Sequence, residues 1–474
     1  MKYASLSLSL LIVVGVSTSW VAATLLEFRR VPQSSTRGSL LHSTSPGVHP
    51  RGTSGGGPGD NRITNHLDLI YSTNITLGGK DFVVLLDTGS TDLWVLPDDR
   101  AEGLYNITDI PVRMEYGGGS SWVEGTIAVA SLQMGTFSVS QQAFLRVESF
   151  LDGGLKELGI DGLLGLSFDF VTASPINEAV TAQRGLNTTW GSSVLKNIFS
   201  QDGRNGSNFI AFDLSRTDDL EDIDGGSFSI GEYADQWKAV AQAPKLYQHP
   251  PGSDRWTTLL EGITVGGTPL NLSSVFRGVP DGRLVALLDT GTPTALIPRS
   301  VQNDLYSRIP GAVTFTVEGQ VQLWLMPCNT TTIVEFNFGG QRIPIHPLDL
   351  SFSPEIVTAG GQQYTACFGA MDGNDALASH GFEMSLGDTF LRNVYSVYDF
   401  GDPNGTAAGQ PYMQLLAQTE AADAMAQVAS IRSRTMADLP PEIEPTRLLE
   451  LLRAEGPTMS TAAPPSAPPP AAAL

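Results

Sequence analysis

Two stretches of this chain, residues 83–90 and 285–292, repeat one pattern at a distance of 202 residues. They read VVLLDTGS and VALLDTGT, so each apolar run ends in one carboxylate, a threonine and a glycine. Asp and Gly are common turn residues, and one Asp-Thr-Gly tripeptide is expected by chance in roughly one chain in ten of this length. A single copy would indicate only an ordinary junction between a strand and a turn. Two copies behind matched apolar runs indicate that two carboxylates are brought together.

The duplication extends on both sides of these stretches. Residues 74–79 (NITLGG) precede the first copy, and residues 262–267 (GITVGG) precede the second. Downstream, residues 93–97 (LWVLP) are matched by residues 295–298 (ALIP). The period is far longer than that of solenoid repeats. We therefore expect two similar lobes, each of which contributes one Asp.

Composition indicates a turn-rich β protein and limits its partners. The 474 residues include 50 glycines and 30 prolines, with 41% hydrophobic and only 16% charged residues. A formal net charge of −21 argues against nucleic acid and anionic membranes as partners. Low charge density also suits an acidic medium, although a need for solubility explains the charge equally well.

The amino terminus is typical of a secretory signal peptide over residues 1–23. Lys2 is followed by an apolar run at residues 6–16 and then by small residues. The run is too short to span a membrane, and no stable membrane insertion is expected. We predict a secreted or extracellular protein, with vacuolar delivery as an open alternative; a cytosolic chain with an apolar start is the competing interpretation. Candidate glycosylation sites are Asn74, Asn106, Asn187, Asn205, Asn271, Asn329 and Asn404.

Residues 24–62 are expected to be a pro-segment, which would make the product a zymogen, or a flexible linker. They are rich in Ser, Gly and Pro and carry no periodic apolar pattern. Residues 419–474 form an Ala/Pro-rich C-terminal tail in which residues 421–431 and 445–454 have helical patterns. Residues 461–474 are expected to be a mobile or processed extension.

Between these ends, short alternating segments separated by turns predict strands, with a few helices. The strand examples are residues 127–132, 137–141, 209–214, 227–230 and 313–317. The helix examples are residues 193–200 and 300–309.

The chain has two cysteines, Cys328 and Cys367, and six histidines. In an oxidising compartment one disulfide is the economical interpretation, and closing that loop would stabilise the fold by up to ~4 kcal/mol in the chain-entropy model. No histidine has the paired spacing of a metal site. We expect neither a metal nor another cofactor.

Three further segments point to a known family. Residues 115–120 (EYGGGS) predict a glycine-tipped hairpin with one exposed tyrosine, and residues 161–166 (DGLLGL) predict a buried strand that ends at glycine. Residues 386–399 (LGDTFLRNVYSVYD) look like the counterpart of that strand in the second lobe. Together with the paired Asp-Thr-Gly motifs, they resemble the pepsin family of aspartic peptidases, with the fungal secreted members closest. The resemblance covers residues 71–416.

The resemblance implies a mainly all-β, bilobal fold with an active cleft between an N-terminal lobe (63–235) and a C-terminal lobe (236–418). It implies that Asp87 and Asp289 are the catalytic pair. The flap and substrate-binding positions that it implies are Tyr116, Gly117, Gly89 and Gly291. The supporting hydroxyl residues that it implies are Thr88 and Thr290, which knit the two loops together, and Ser90 and Thr292, which bond the outer carboxylate oxygens. It also implies a bridge between Cys328 and Cys367.

Three departures from the family pattern bear on the site. The segment between Asp87 and Tyr116 is short and lacks a cysteine-closed loop, which leaves the subsites near the flap open. Pro293 follows the second motif where a small residue is usual, and its missing N–H could remove a hydrogen bond. Gly118 stands where a flap hydroxyl residue is common. None of them removes a catalytic group.

Two carboxylates held a few ångström apart cannot both ionise cheaply, so they share one proton over an acidic range. One then acts as general base on a water and the other as general acid on a peptide carbonyl. The leading hypothesis is an aspartic endopeptidase that acts on proteins and peptides at acidic pH, as a monomer. The alternatives are a catalytically inactive pepsin-like binding or inhibitor module and a structural cell-surface glycoprotein. Trp94 is expected to be core, and Asp161, Asp388 and Asp399 to be structural.

Overall fold

Strands dominate the part of the chain that the computed structural model describes. That part comprises residues 60–66, 68–96, 105–151, 154–185, 188–201, 208–217, 223–317, 321–401 and 409–454. Within it the strands are β1 (Asp60–His66), β2 (Ile70–Leu77), β3 (Lys80–Asp87), β4 (Leu93–Val95), β5 (Asn106–Tyr116), β6 (Ser121–Met134), β7 (Phe137–Leu151), β8 (Gly162–Gly165), β9 (Phe209–Leu214), β10 (Ile223–Ile230), β11 (Leu246–Tyr247), β12 (Thr257–Leu260), β13 (Gly262–Val265), β14 (Thr268–Pro269), β15 (Leu284–Leu288), β16 (Ala295–Ile297), β17 (Val313–Val317), β18 (Val321–Met326), β19 (Val334–Phe338), β20 (Gln341–Ile345), β21 (Glu355–Ala359), β22 (Gln362–Phe368), β23 (Met371–Gly373), β24 (Met384–Leu386), β25 (Val394–Asp399) and β26 (Tyr412–Ala417). The α-helices there are α1 (Pro175–Arg184), α2 (Val194–Phe199), α3 (Arg299–Ser307), α4 (Asp388–Leu391), α5 (Ala421–Thr435) and α6 (Pro445–Ala454).

The strands form one large sheet and three small ones. The large sheet has the order β11-β26-β25-β9-β10-β1-β2-β3-β8-β4-β7-β6-β5, with an additional pairing of β2 and β6. The small sheets have the orders β12-β15-β24-β16-β23, β14-β13-β19-β20 and β17-β18-β22-β21. Strands β25 and β26, from the second half of the sequence, therefore join a sheet built mainly from the first half. This shared sheet ties the two halves together.

The same strand arrangement surrounds each Asp-Thr-Gly stretch. β3 ends at Asp87 and runs parallel to β8, which pairs antiparallel with β4. β15 ends one residue before Asp289 and runs parallel to β24, which pairs antiparallel with β16. All five residues of β15 and all four of β8 are buried, as expected for strands covered on both faces. The sequence repeat is thus a structural repeat, and it places both Asp loops at strand ends in the interior.

The segment after β26 packs on the second half of the molecule. On α6, Leu448, Leu449 and Leu452 join a buried cluster with residues of the sheet β17-β18-β22-β21. Arg432 of α5 donates from Nη2 to Ser351 Oγ at 2.8 Å. The predicted helices at 421–431 and 445–454 correspond to α5 and α6. A separate segment starting at residue 419 stays a prediction, and residues 461–474 lie outside the described residues.

Several other predictions can be placed. The structure joins Cys328 to Cys367 in a disulfide. Residues 1–59, with the signal peptide and nearly all of the predicted pro-segment, lie outside the described residues; residues 60–62, the predicted end of that segment, belong to β1. The lobe boundaries stay predictions. Across the residues that the structure describes, no helix has the length and apolar character needed to cross a membrane.

Candidate active site

The two Asp loops hold their carboxylates in the same way on one side. The Gly89 N–H donates to Asp87 Oδ1 at 2.7 Å, and the Gly291 N–H donates to Asp289 Oδ1 at 2.9 Å. Each carboxylate is thereby fixed by the backbone two residues further along its own loop. The Asp-x-Gly spacing of the sequence repeat produces this local geometry twice.

The outer oxygens are held by hydroxyl groups. Ser90 Oγ donates to Asp87 Oδ2, and Thr292 Oγ1 donates to Asp289 Oδ2 at 2.7 Å. A second hydroxyl, Ser385 Oγ on β24, donates to Asp289 Oδ2 at 3.4 Å. Ser385 was not predicted; it directly precedes the matched segment 386–399 and reaches Asp289 from 96 residues away along the chain.

Two threonines connect the loops through reciprocal hydrogen bonds. Thr88 Oγ1 donates to the Leu288 carbonyl at 2.9 Å and accepts from the Thr290 N–H at 3.0 Å. Thr290 Oγ1 donates to the Leu86 carbonyl at 2.8 Å and accepts from the Thr88 N–H at 3.0 Å. Both side chains are fully buried. The four bonds satisfy every backbone group involved and set the distance between the loops.

The two glycines of the motifs lie directly against the opposite carboxylate. A Cβ atom on Gly89 would stand 2.5 Å from Asp289 Oδ1, and one on Gly291 would overlap the Asp87 carboxylate. Glycine is needed at both positions because the loops approach so closely, rather than because of a left-handed backbone. The glycines therefore bring the two carboxyl groups together.

The two carboxyl groups have different surroundings. Asp87 is 5% exposed, whereas Asp289 is partly exposed. Burial raises the pKa of Asp87 well above that of an ordinary aspartate, the nearby charge of Asp289 raises it further, and the hydrogen bonds from Ser90 and Gly89 oppose both effects. The pair therefore keeps a proton at pH values where an isolated aspartate is ionised.

A hairpin of β5 and β6 carries the candidate flap. Its tip, Gly117–Gly119, has positive φ at all three glycines, which glycine adopts at little cost. Tyr116 at its base was predicted to be exposed, and this is wrong: its hydroxyl accepts from Trp94 Nε1 at 2.9 Å, which leaves the ring half-buried. Trp94, only 2% exposed, is core as predicted, but it also positions the flap tyrosine.

Outside the paired loops, the remaining predicted residues have structural or surface positions. Asp161 Oδ2 accepts from the Val83 N–H at 2.9 Å, and Asp399 Oδ1 accepts from the Gly401 N–H at 2.8 Å. Burial raises the pKa of Asp388, which is fully buried beside Arg392. The described candidate glycosylation residues are all exposed: Asn74, Asn106, Asn271 and Asn329. Asn187, Asn205 and Asn404 lie outside the described residues.

Over the described ranges, no group of three or more His, Cys, Asp or Glu side chains is arranged to hold a metal ion. What the arrangement offers chemically is a pair of carboxyl groups in contact, each with a hydroxyl donor on its outer oxygen.

Sequence comparison finds one family over most of the chain. Residues 70–409 match the eukaryotic aspartyl protease family. The aspartic-type endopeptidase ctsD of Aspergillus fumigatus is 28% identical over 354 residues, which cover 70% of this chain and 64% of that protein. The vacuolar aspartic protease of Candida albicans is 26% identical over 73% of this chain and 76% of that protein, and pepsin A of Sus scrofa is 25% identical over 72% and 81%. The chain thus spans less than two thirds of the Aspergillus protein.

Structural comparison shows the fold. The aspartic proteinase from Irpex lacteus superposes with a TM-score of 0.55 at 20% identity, over 76% of this chain and 97% of that one. The expectation of a mainly β, bilobal, pepsin-like fold is confirmed.

Proposed function

The chain belongs to the eukaryotic aspartyl protease family, and from that premise we propose that it is an aspartic endopeptidase with Asp87 and Asp289 as its catalytic pair. The observation that supports this most directly is the contact between the two carboxyl groups across loops joined by Thr88 and Thr290. Both motifs are complete, so nothing in the site favours the inactive binding module over the enzyme. Proteins and peptides are the proposed substrates.

The proposed mechanism uses the shared proton. The ionised member of the pair takes a proton from a water molecule, whose oxygen attacks the peptide carbonyl carbon. The protonated member donates its proton to the carbonyl oxygen, which gives a neutral tetrahedral diol. Proton transfer to the leaving nitrogen and cleavage of the C–N bond then release a carboxylic acid and an amine. Because neither Asp attacks carbon, no acyl-enzyme forms; the pair titrates jointly, so the proton belongs to both residues.

We propose that the enzyme works in acid, as a monomer, after secretion or delivery to a vacuole. The raised pKa of Asp87 supports an acidic working range that extends above the ordinary carboxyl pKa of 3.8. The exposed candidate glycosylation residues and the disulfide agree with passage through an oxidising secretory route. A pro-segment over residues 24–62 and a mobile or processed extension over residues 461–474 complete the proposal.

The test compares cleavage of a denatured protein by the full chain, incubated from pH 2 to 7, with cleavage by Asp87→Asn and Asp289→Asn. Each substitution keeps the side-chain shape but removes one acid–base group, so the rate should fall by at least about 10³-fold. A statine-type transition-state analogue should block the wild-type rate.

The matched control is Asp281→Asn, the same substitution at an exposed aspartate, which should keep the wild-type rate. Undiminished cleavage in either active-site variant would contradict the assignment. A folded wild-type chain that cleaves nothing at any pH but binds a protein tightly would support the inactive module instead.

A further inference from the structure

A cavity of about 610 Å³ opens beside the first Asp loop. One wall is apolar and carries Phe170 and Val171, which are 46% and 39% exposed despite their size. The lining also includes Arg255, Asp254 and His380. The cavity is thus large enough for a side chain, and its lining has both apolar and charged members.

Arg255 connects this cavity to the catalytic pair. Its Nη1 donates to the Gly89 carbonyl at 3.0 Å, and the N–H of the same glycine donates to Asp87 Oδ1 at 2.7 Å. Gly89 therefore connects the guanidinium to the carboxyl group of Asp87 through one hydrogen bond on each side. A peptide whose scissile carbonyl sits on the Asp pair must place a neighbouring side chain close to this guanidinium.

Arg255 forms no ion pair within the part of the chain that the structure describes. No carboxylate among the described residues lies within 4.0 Å of its guanidinium nitrogens, and its other near neighbour is the Phe382 ring, 6.0 Å from Cζ. A guanidinium has five N–H donors. The hydrogen bond to the Gly89 carbonyl uses one of those of Arg255. The other ionisable side chains that line the cavity are His380 and one carboxylate, Asp254.

We propose that this cavity is a substrate subsite that prefers an acidic side chain, glutamate above all, and that Arg255 determines the preference. The apolar wall would cover the methylene groups of a glutamate while its carboxylate pairs with the free edge of the guanidinium. The proposal rests on the endopeptidase function proposed above and adds the class of substrate residue that one subsite selects.

The test is a peptide-library cleavage profile at pH 5, above the ordinary glutamate pKa of about 4.3, followed by kcat and KM for matched peptides with Glu or Gln at the selected position. The variants separate charge from structure. Arg255→Gln keeps an N–H donor for the Gly89 carbonyl but removes the charge, whereas Arg255→Lys keeps the charge. Arg255→Glu reverses it. Arg342→Gln, at an exposed arginine that does not line the cavity, is the control.

We expect the wild type and Arg342→Gln to prefer Glu over Gln by about fivefold in kcat/KM, mainly through KM. The preference should persist in Arg255→Lys, disappear in Arg255→Gln and change to lysine in Arg255→Glu. A wild type that cleaves peptides without any acidic preference, or an Arg255→Gln variant that keeps it, overturns this proposal while the endopeptidase function stands. Equal losses on all peptides in Arg255→Gln also overturn it, since they would mean that Arg255 only supports Gly89. Failure of the wild type to cleave any peptide overturns both proposals.

Discussion

The two Asp loops have nearly the same backbone but different electrostatic surroundings. Asp87 is buried and accepts from one hydroxyl, Ser90, whereas Asp289 is partly exposed and accepts from two, Thr292 and Ser385. Burial disfavours the charged form of a carboxyl group, and hydrogen bonds to its oxygens favour it. A duplicated loop thus places its two carboxyl groups in unlike surroundings. The difference comes from what packs around the loops rather than from the loops themselves.

The strongest test of the shared backbone geometry is Gly89→Ala compared with Gly291→Ala. Each new methyl group would collide with the carboxylate of the opposite loop, so the pair would be forced apart. Because a misplacement of about 1 Å can cost 10²-fold, we expect kcat/KM to fall at least 10²-fold in both variants, with the fold retained. Steady-state kinetics and a thermal melt measure the two effects.

Gly262→Ala is the control for this pair, since nothing lies within 4 Å of its added methyl group and its φ is not positive. It should keep wild-type activity. Near-normal activity in either motif variant would mean that the loops are further apart in solution than the structure places them.

Each half has a further acid near its Asp loop, and the two halves place it at different points of the repeated strand arrangement. In the first half it is Asp92, five residues after Asp87, which accepts from Ser174 Oγ at 2.5 Å and from the Ile176 N–H at 3.0 Å. In the second half the equivalent position is Thr294, and the acid is Asp372 on β23, hydrogen-bonded to that threonine. Burial raises the pKa of Asp92 to about 7 and that of Asp372 to about 6. The carboxyl group thus lies just before β4 in the first half and on β23 in the second, and it is more exposed in the second half.

Asp92→Asn should make stability less dependent on pH. A carboxyl group whose pKa is higher in the folded state binds more protons there, so its contribution is fully present below about pH 4 and is lost as the pH rises through about 7. Asparagine stays neutral, and the fall in unfolding free energy between pH 4 and 7 should shrink by about 4 kcal/mol at most. Urea denaturation across this range measures it. Asp372→Asn should reduce this pH-dependent fall in unfolding free energy by a smaller amount. If the pH dependence of unfolding is unchanged in both variants, these acids are ionised in the folded protein.

Thr88 and Thr290 should contribute equally to the free energy of unfolding. The variants Thr88→Val and Thr290→Val test this. Each substitution leaves one buried N–H without an acceptor and one buried carbonyl without its donor in the opposite loop. The unfolding free energy should fall by about 2–3 kcal/mol in each case. Thr88→Ser and Thr290→Ser keep the hydroxyl and should recover most of that loss. If one valine variant costs twice as much as the other, the bonds between the loops are not equivalent.

The paired loops could be predicted from sequence because their determinants are local. Asp87, Gly89 and Ser90 interact within four residues, and the repeat places the same residues around Asp289. Arg255 and Ser385 act through partners 166 and 96 residues away, which no local spacing indicates. The predicted exposure of Tyr116 was wrong for the same reason, since its hydroxyl bonds Trp94, which lies 22 residues away along the chain.

Helix α6 was predicted from local sequence, but the surface on which it packs was not. Its residues, Pro445–Ala454, were predicted from proline at the first turn and from amphipathic spacing, both of which are local. The sheet on which its leucines pack was not predicted, because Phe315, Val357 and Phe368 come from strands far along the chain. Local chemistry thus indicates that an element forms, and tertiary packing decides what it covers.

Pro293→Ala should have the smallest effect, although this proline was the main departure in the second motif. The equivalent residue in the first loop is Thr91, whose N–H makes no hydrogen bond to any part of the chain that the structure describes. The backbone bonds of the second loop use Thr292 and Thr294 on either side, so the missing N–H of Pro293 removes nothing. We expect kcat/KM within about twofold of wild type and a loss of roughly 0.4–1 kcal/mol in stability, because alanine gives the unfolded chain more freedom. A tenfold loss of activity with unchanged stability would instead mean that the ring itself contacts the substrate, and the two loops would then differ in function as well as in charge.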